Sequence, residues 1–212
     1  FTLSVRTQPP DAARQFLQEL ISQPGLPDST RHFMAAQGYE LLGDVDEAKD
    51  QFESAIQSAP ENLAIRLRYV NLLHRSDVVA ARAQLEQILQ IDPNNNEARR
   101  RLATILASSG TDQDWNRAFQ LLNQSDTDPN DSTWIDNRLR ALLLSRRGRK
   151  REERLANIDA ARQILDRQIE RSAAGAEDLD RLALAGVLEQ EAVLREDLDL
   201  MDAARAQFRQ LV

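Results

Sequence analysis

Residues 29–62 read STRHFMAAQGYELLGDVDEAKDQFESAIQSAPEN. Within this stretch a small residue twice precedes a large one by about one helical turn, Ala36 before Tyr39 and Ala48 before Phe52. That spacing puts both members of a pair on one helix face. The small side chain lets a second helix approach closely, and the large one fills the gap beside it. Gly43-Asp44 separates the two runs, because glycine just past a helix end supplies the left-handed cap. Pro60 stops the second run, since proline cannot continue a helix interior. The stretch reads as two helices joined by a tight turn.

The same phrase recurs outward in both directions. A small residue followed four positions later by a large apolar one appears as Ala13 with Leu17, Ala81 with Leu85, Ala118 with Leu122, Ala161 with Leu165 and Ala204 with Phe208. Starting from Ala13 and including Ala48, the successive spacings are 35, 33, 37, 43 and 43 residues. Between them lies a second set with a spacing of three: Val70 with Leu73, Ala103 with Leu106, Ala185 with Leu188 and Ala141 with Leu144. In the last of these Arg140 occupies an expected apolar place, which leaves the helical phase there open. Gly110-Thr111, Gly148, and the stops around Pro60 and Pro93 punctuate the sets. No segment alternates with β-branched enrichment, so the reading is all-α. A fixed period of this kind marks a repeat array, in which neighbours bury faces that one unit cannot bury alone.

Composition narrows the chemistry. The chain has 212 residues, 27 Lys plus Arg against 34 Asp plus Glu, a net charge of -7, two histidines and no cysteine. The missing cysteine removes disulfides, thiol catalysis and cysteine-ligated metal sites. No apolar run approaches the ~18 residues of a membrane span, so membrane insertion is not expected. The acidic balance argues against bulk nucleic-acid binding. Phe1 and Val212 both fall within apolar helical patterns, which predicts a fragment of a longer repeat protein.

With Ala36, Tyr39, Gly43, Ala48, Phe52, Ala55 and Pro60 at their spacing, residues 29–62 resemble a tetratricopeptide repeat. Further copies are expected at 63–95, which lacks the loop glycine, and at 96–129. Longer divergent copies follow at 131–175 and 177–212, with 11–23 as one helix of a partial repeat. The resemblance implies a single right-handed superhelical solenoid of antiparallel helix pairs over 1–212. It also implies a non-enzymatic function, binding a partner protein or peptide along a concave groove lined by the first helix of each pair.

Carried over by spacing, that groove holds Thr30, Phe33, Met34, Gln37 and Glu40, then Ala64, Leu67, Arg68, Asn71 and His74, then Glu97, Arg100, Arg101, Thr104 and Ala107. Phe33, Met34 and Leu67 would form an apolar anchor. Arg68, Arg100 and Arg101 would form a basic patch, whose guanidinium forks suit acidic or carboxylate groups. Gln37 and Asn71 could bond a peptide backbone. The plainer alternative pairs these arginines with Glu97 and other neighbours. The family's chaperone-binding members clamp a terminal carboxylate with Lys, Asn, Asn, Lys and Arg. At the aligned positions Phe33, Gln37, Arg68, Glu97 and Arg101, only Arg101 fits, so that clamp is not expected.

Other features carry less. Residues 138–154 are net +6 while the remainder is -13, and Gly148 marks a turn within the run. A solvated connector is expected there, with an anion- or nucleic-acid-binding surface at 146–154 as the weaker alternative. Asp44 and Asp46 resemble helix N-caps. Trp115 and Trp134 flank a loop-rich 111–133 and are expected to pack it down. His32 and His74 lack further ligands at metal spacing, and no nucleophile elbow, phosphate loop or zinc motif occurs, so no metal, cofactor or catalytic residue is assigned. A scaffold that self-assembles through exposed repeat ends stands as the alternative to a peptide groove.

Overall fold

Every small-to-large phrase lies on a helix of the computed structural model, which describes residues 5, 7–123, 133–171 and 177–209. The described residues hold eleven helices and no strand. They are α1 (Pro10–Ser22), α2 (Asp28–Leu42), α3 (Val45–Ser58), α4 (Leu63–Ser76), α5 (Val78–Ile91), α6 (Asn96–Ala107), α7 (Asp112–Asn123), α8 (Thr133–Ser145), α9 (Arg151–Arg171), α10 (Glu177–Arg195) and α11 (Leu198–Arg209). They divide into two compact units, Phe1–Ile105 and Leu106–Val212, with the boundary inside α6.

In the first unit α2 packs on α1 and α3, and α4 on α3 and α5. Ala13, Leu17, Ala36, Ala48, Phe52, Ala81 and Leu85 are completely buried. Phe52 is the centre of an aromatic run. It meets Phe33 edge-on at 6.0 Å and stacks on Tyr69 at 5.2 Å. The Tyr69 hydroxyl donates to Glu53 at 2.9 Å, and burial first, then that carboxylate, pushes its pKa well up.

The turns follow from their residues. Gly43 takes the left-handed conformation at φ 81° and closes α2, its N–H and that of Asp44 returning to carbonyls of the last turn. The 63–95 stretch needs no such glycine. There Asp77 alone joins α4 to α5, and its carboxylate accepts from the Ala80 N–H at 2.9 Å. Asn62 caps α4 by accepting from the N–H groups of Ala64 and Ile65.

Asp44 departs from its expected role. It precedes α3 but makes no side-chain cap bond. Its carboxylate instead receives the Arg14 fork of α1, Nε to Oδ2 at 2.7 Å and Nη2 to Oδ1 at 3.0 Å. A guanidinium fork outcompetes a neutral backbone N–H for a carboxylate.

In the second unit Ala141, Leu144, Ile158, Ala161, Leu165, Leu184 and Val187 form one core, against which Trp115 and Phe119 pack. Ala141 and Leu144 are buried, so the phase left open by Arg140 is settled; the Arg140 guanidinium lies over the Phe119 ring at 5.4 Å. The long period has a simple origin, because α9 has 21 residues and α10 has 19, against 12 to 15 in the other helices.

Two expectations change in this unit. Residues 112–123 are helix, with Trp115 stacked on Phe119 at 5.1 Å; the rest of the expected loop, residues 124–132, lies outside the described residues. The run 138–154 is more than a solvated connector. Arg138 lies over Trp134 and pairs with fully buried Asp180 at 3.1 Å, and Arg151 donates to the Leu194 carbonyl. Phe208 is 40 % exposed where its counterparts Phe52 and Leu85 are fully buried, because α11 is the last described helix and no further described pair covers it.

Candidate functional site

The face opposite the core is set by helical periodicity. On α4, Ile65, Tyr69, Val70, Leu72 and Leu73 turn inward. Arg68, Asn71 and Arg75, at spacings of three and four, share another face. On α6 Ala98, Arg99, Leu102, Ala103, Ile105 and Leu106 are buried, which leaves Glu97, Arg101 and Thr104 on one open stripe. These stripes lie beside the end of α2, where Glu40 is half-buried.

Polar links tie the three helices together. Arg68 of α4 donates to Glu40 of α2 at 2.7 Å. Arg101 of α6 donates to the Asn71 side-chain oxygen of α4 and pairs with Glu97 one turn back at 2.6 Å. The Thr104 hydroxyl donates to the Arg100 carbonyl at 3.0 Å.

Between these links lies an open cleft of 420 Å³. Glu40, Arg68, Asn71, His74, Arg75, Arg101 and Thr104 line it, with Val70 and Ile105 as its apolar part. It therefore brings together six of the expected groove residues: Glu40, Arg68, Asn71, His74, Arg101 and Thr104. Of the rest, Phe33, Met34, Gln37, Leu67 and Arg100 are half-buried, Glu97 is exposed, and all lie outside its lining. Phe33 has a further contact, the edge of Phe52, so part of it belongs to the core. Arg75 went unnoticed in the sequence, although its spacing of four from Asn71 and seven from Arg68 was a usable signal.

The two linking arginines already hold carboxylates, as the plainer alternative had it for Arg101 and Glu97. Their side chains remain 40 % and 35 % exposed. Among the described residues no group of His, Asp and Glu is arranged to hold a metal ion, and His32 is instead bonded to Gln51 at 2.7 Å. No described helix is long and apolar enough to cross a membrane.

Residues 32–62 match the sequence model of the tetratricopeptide repeat family. The comparison with curated proteins finds no match. Among solved structures, the MamA protein superposes with a TM-score of 0.58 at 13 % identity, over 86 % of this chain and 92 % of that one. Yeast Tom70 superposes with a TM-score of 0.51 at 18 % identity, over 93 % of this chain and 43 % of that one. At such identities the likeness concerns the fold. Residues 32–62 thus form a tetratricopeptide repeat, and the chain is an all-α repeat protein with the tetratricopeptide fold.

Proposed function

We propose that the chain acts without catalysis, as an interaction module whose α2–α4–α6 cleft receives a segment of a partner protein. One observation carries this reading: polar side chains from three successive first helices line a single open cleft. Tetratricopeptide proteins in general bind other proteins or peptides as non-enzymatic scaffolds, which supports it.

The lining has three arginines against one glutamate, so a segment bearing acidic side chains or a terminal carboxylate complements it. Exposed ion pairs contribute only about 0–1 kcal/mol. A partner carboxylate can therefore exchange with Glu40 on Arg68, or with Glu97 on Arg101, at small cost. Asn71 and Gln37 supply amide groups for a peptide backbone. A segment that runs on beyond the cleft's lining would meet Met34, Leu67 and the exposed part of Phe33 as an apolar anchor, and Arg100.

Affinity capture from the source cell's lysate tests this, with wild type run beside Arg68→Glu/Arg101→Glu after both are shown to fold. A protein kept by wild type and lost by the variant supports the cleft; equal retention contradicts it. Self-assembly has its own observation, since Leu179 and Leu182, three apart on α10, are 53 % and 46 % exposed. It requires a mass that rises with concentration, whereas a cleft binder stays monomeric.

A further inference from the structure

A second pocket, of 350 Å³, lies wholly within Leu106–Val212, where the turn before α7 meets the turn between α8 and α9. Its floor is Arg147, whose guanidinium lies over the Trp115 ring at 3.7 Å from the centroid and donates to Asp112 at 3.3 Å. Trp115 in turn stacks on Phe119, so three planar groups are piled at the base. Gly148 shapes the rim. Its φ of 112° favours glycine, and a Cβ there would stand 2.9 Å from Arg154 Cγ and 3.0 Å from the Arg154 backbone nitrogen. This tight turn sets Arg146 and Arg149 on the pocket's edge.

The charges at the pocket are unequally engaged. Asp112 is held by Arg147, and Glu153 accepts the Arg149 backbone N–H at 3.2 Å. The guanidinium groups of Arg146 and Arg149 are exposed, and no described residue pairs with them. The pocket's two acids are thus tied to protein donors while two arginine forks stay open.

We propose that this pocket is a second binding site, which takes an acidic side chain from an Asp/Glu-rich segment of a partner protein. Arg146 and Arg149 would grip the carboxylate as forks, above the Arg147–Trp115 floor. Nucleic acid fits less well. The charge outside 138–154 is -13, which repels an extended phosphate backbone, and Arg147 covers the indole face on which a base would stack. The site shares no residue with the α2–α4–α6 cleft, so it can fail or stand independently.

Fluorescence anisotropy with a labelled short poly-glutamate peptide at low salt tests the site, using wild type, Arg146→Glu/Arg149→Glu, Arg149→Ala and Arg68→Glu/Arg101→Glu. The expected result is binding that weakens about tenfold with Arg146→Glu/Arg149→Glu, as reversal of open charges at a rim should do. Arg149→Ala should weaken it less, and Arg68→Glu/Arg101→Glu should leave it unchanged. In a Trp134→Phe background the peptide should also alter Trp115 emission. Absence of binding to wild type, equal binding by Arg146→Glu/Arg149→Glu, loss only with Arg68→Glu/Arg101→Glu, or tighter binding of an oligothymidylate would each overturn the proposal.

Discussion

Gly38 of α2 faces Leu17 of α1 so closely that a Cβ at position 38 would stand 2.4 Å from Leu17 Cδ2 and 2.8 Å from Cδ1. Leu17 is completely buried, so its methyl groups have no open side to move toward. A glycine inside a helix ordinarily costs about 1 kcal/mol relative to alanine. Here its absent side chain is the space that lets α1 lie on α2.

Gly38→Ala therefore sets two effects against each other. The gain in helix propensity is about 1 kcal/mol, and the overpacking penalty is about 1–3 kcal/mol. With Leu17 enclosed, overpacking should win and the thermal midpoint should fall. A midpoint that rises would mean that Leu17 has room to repack.

The Arg14–Asp44 fork gives a pH signature. The Arg14 guanidinium holds the Asp44 carboxyl below its ordinary value of 3.8, so the folded pKa lies under the unfolded one. The stabilisation is then present above the unfolded value and is lost as pH falls through the folded value. Asp44→Asn should lower the melting temperature at neutral pH, and its curve should merge with wild type at strongly acid pH. Curves separated equally at both ends would contradict the linkage.

Asp180 is buried between α9 and α8. Besides the Arg138 pair, it accepts from Gln168 Nε2 at 2.7 Å, and the same amide nitrogen donates to the Trp134 carbonyl. Breaking a buried pair strands the remaining charge, so Asp180→Ala should cost about 3–5 kcal/mol. Asp202 pairs with Arg205 in the open, and Asp202→Ala should change stability by no more than about 0.5 kcal/mol. Denaturant midpoints of the two variants measure the contrast.

Phe52→Ala should destabilise by about 3–5 kcal/mol, because it removes a fully buried ring that both Phe33 and Tyr69 contact. Molecules that remain folded should still bind a partner. An unchanged melt would remove Phe52 from the core.

What the sequence made legible was local. Ala and its partner four residues on need only helix periodicity to be read as core, and from Ala13 through Leu165 every such pair is buried. Gly43 was readable for the same reason, since its role is settled by its own backbone. The interactions that escaped join distant positions. Arg14 and Asp44 are 30 residues apart, and Arg68 and Glu40 are 28 apart. No local pattern announces such a partner, so Asp44 looked like a cap and the basic run like a connector. At the cleft, the spacing rule picked out the stripes of α4 and α6 that line it. Which side chains converge depended on how neighbouring pairs stack, and that left Phe33 partly in the core and brought Arg75 to the edge.

The central claim is that a partner lies in the α2–α4–α6 cleft. Site-specific photo-crosslinking tests it most directly, with a photoreactive residue at exposed His74 on the cleft, and a control at Val79 of α5, which is 80 % exposed and outside it. The account predicts a partner adduct from position 74 and none from position 79. Adducts from position 79 with none from position 74 would contradict it.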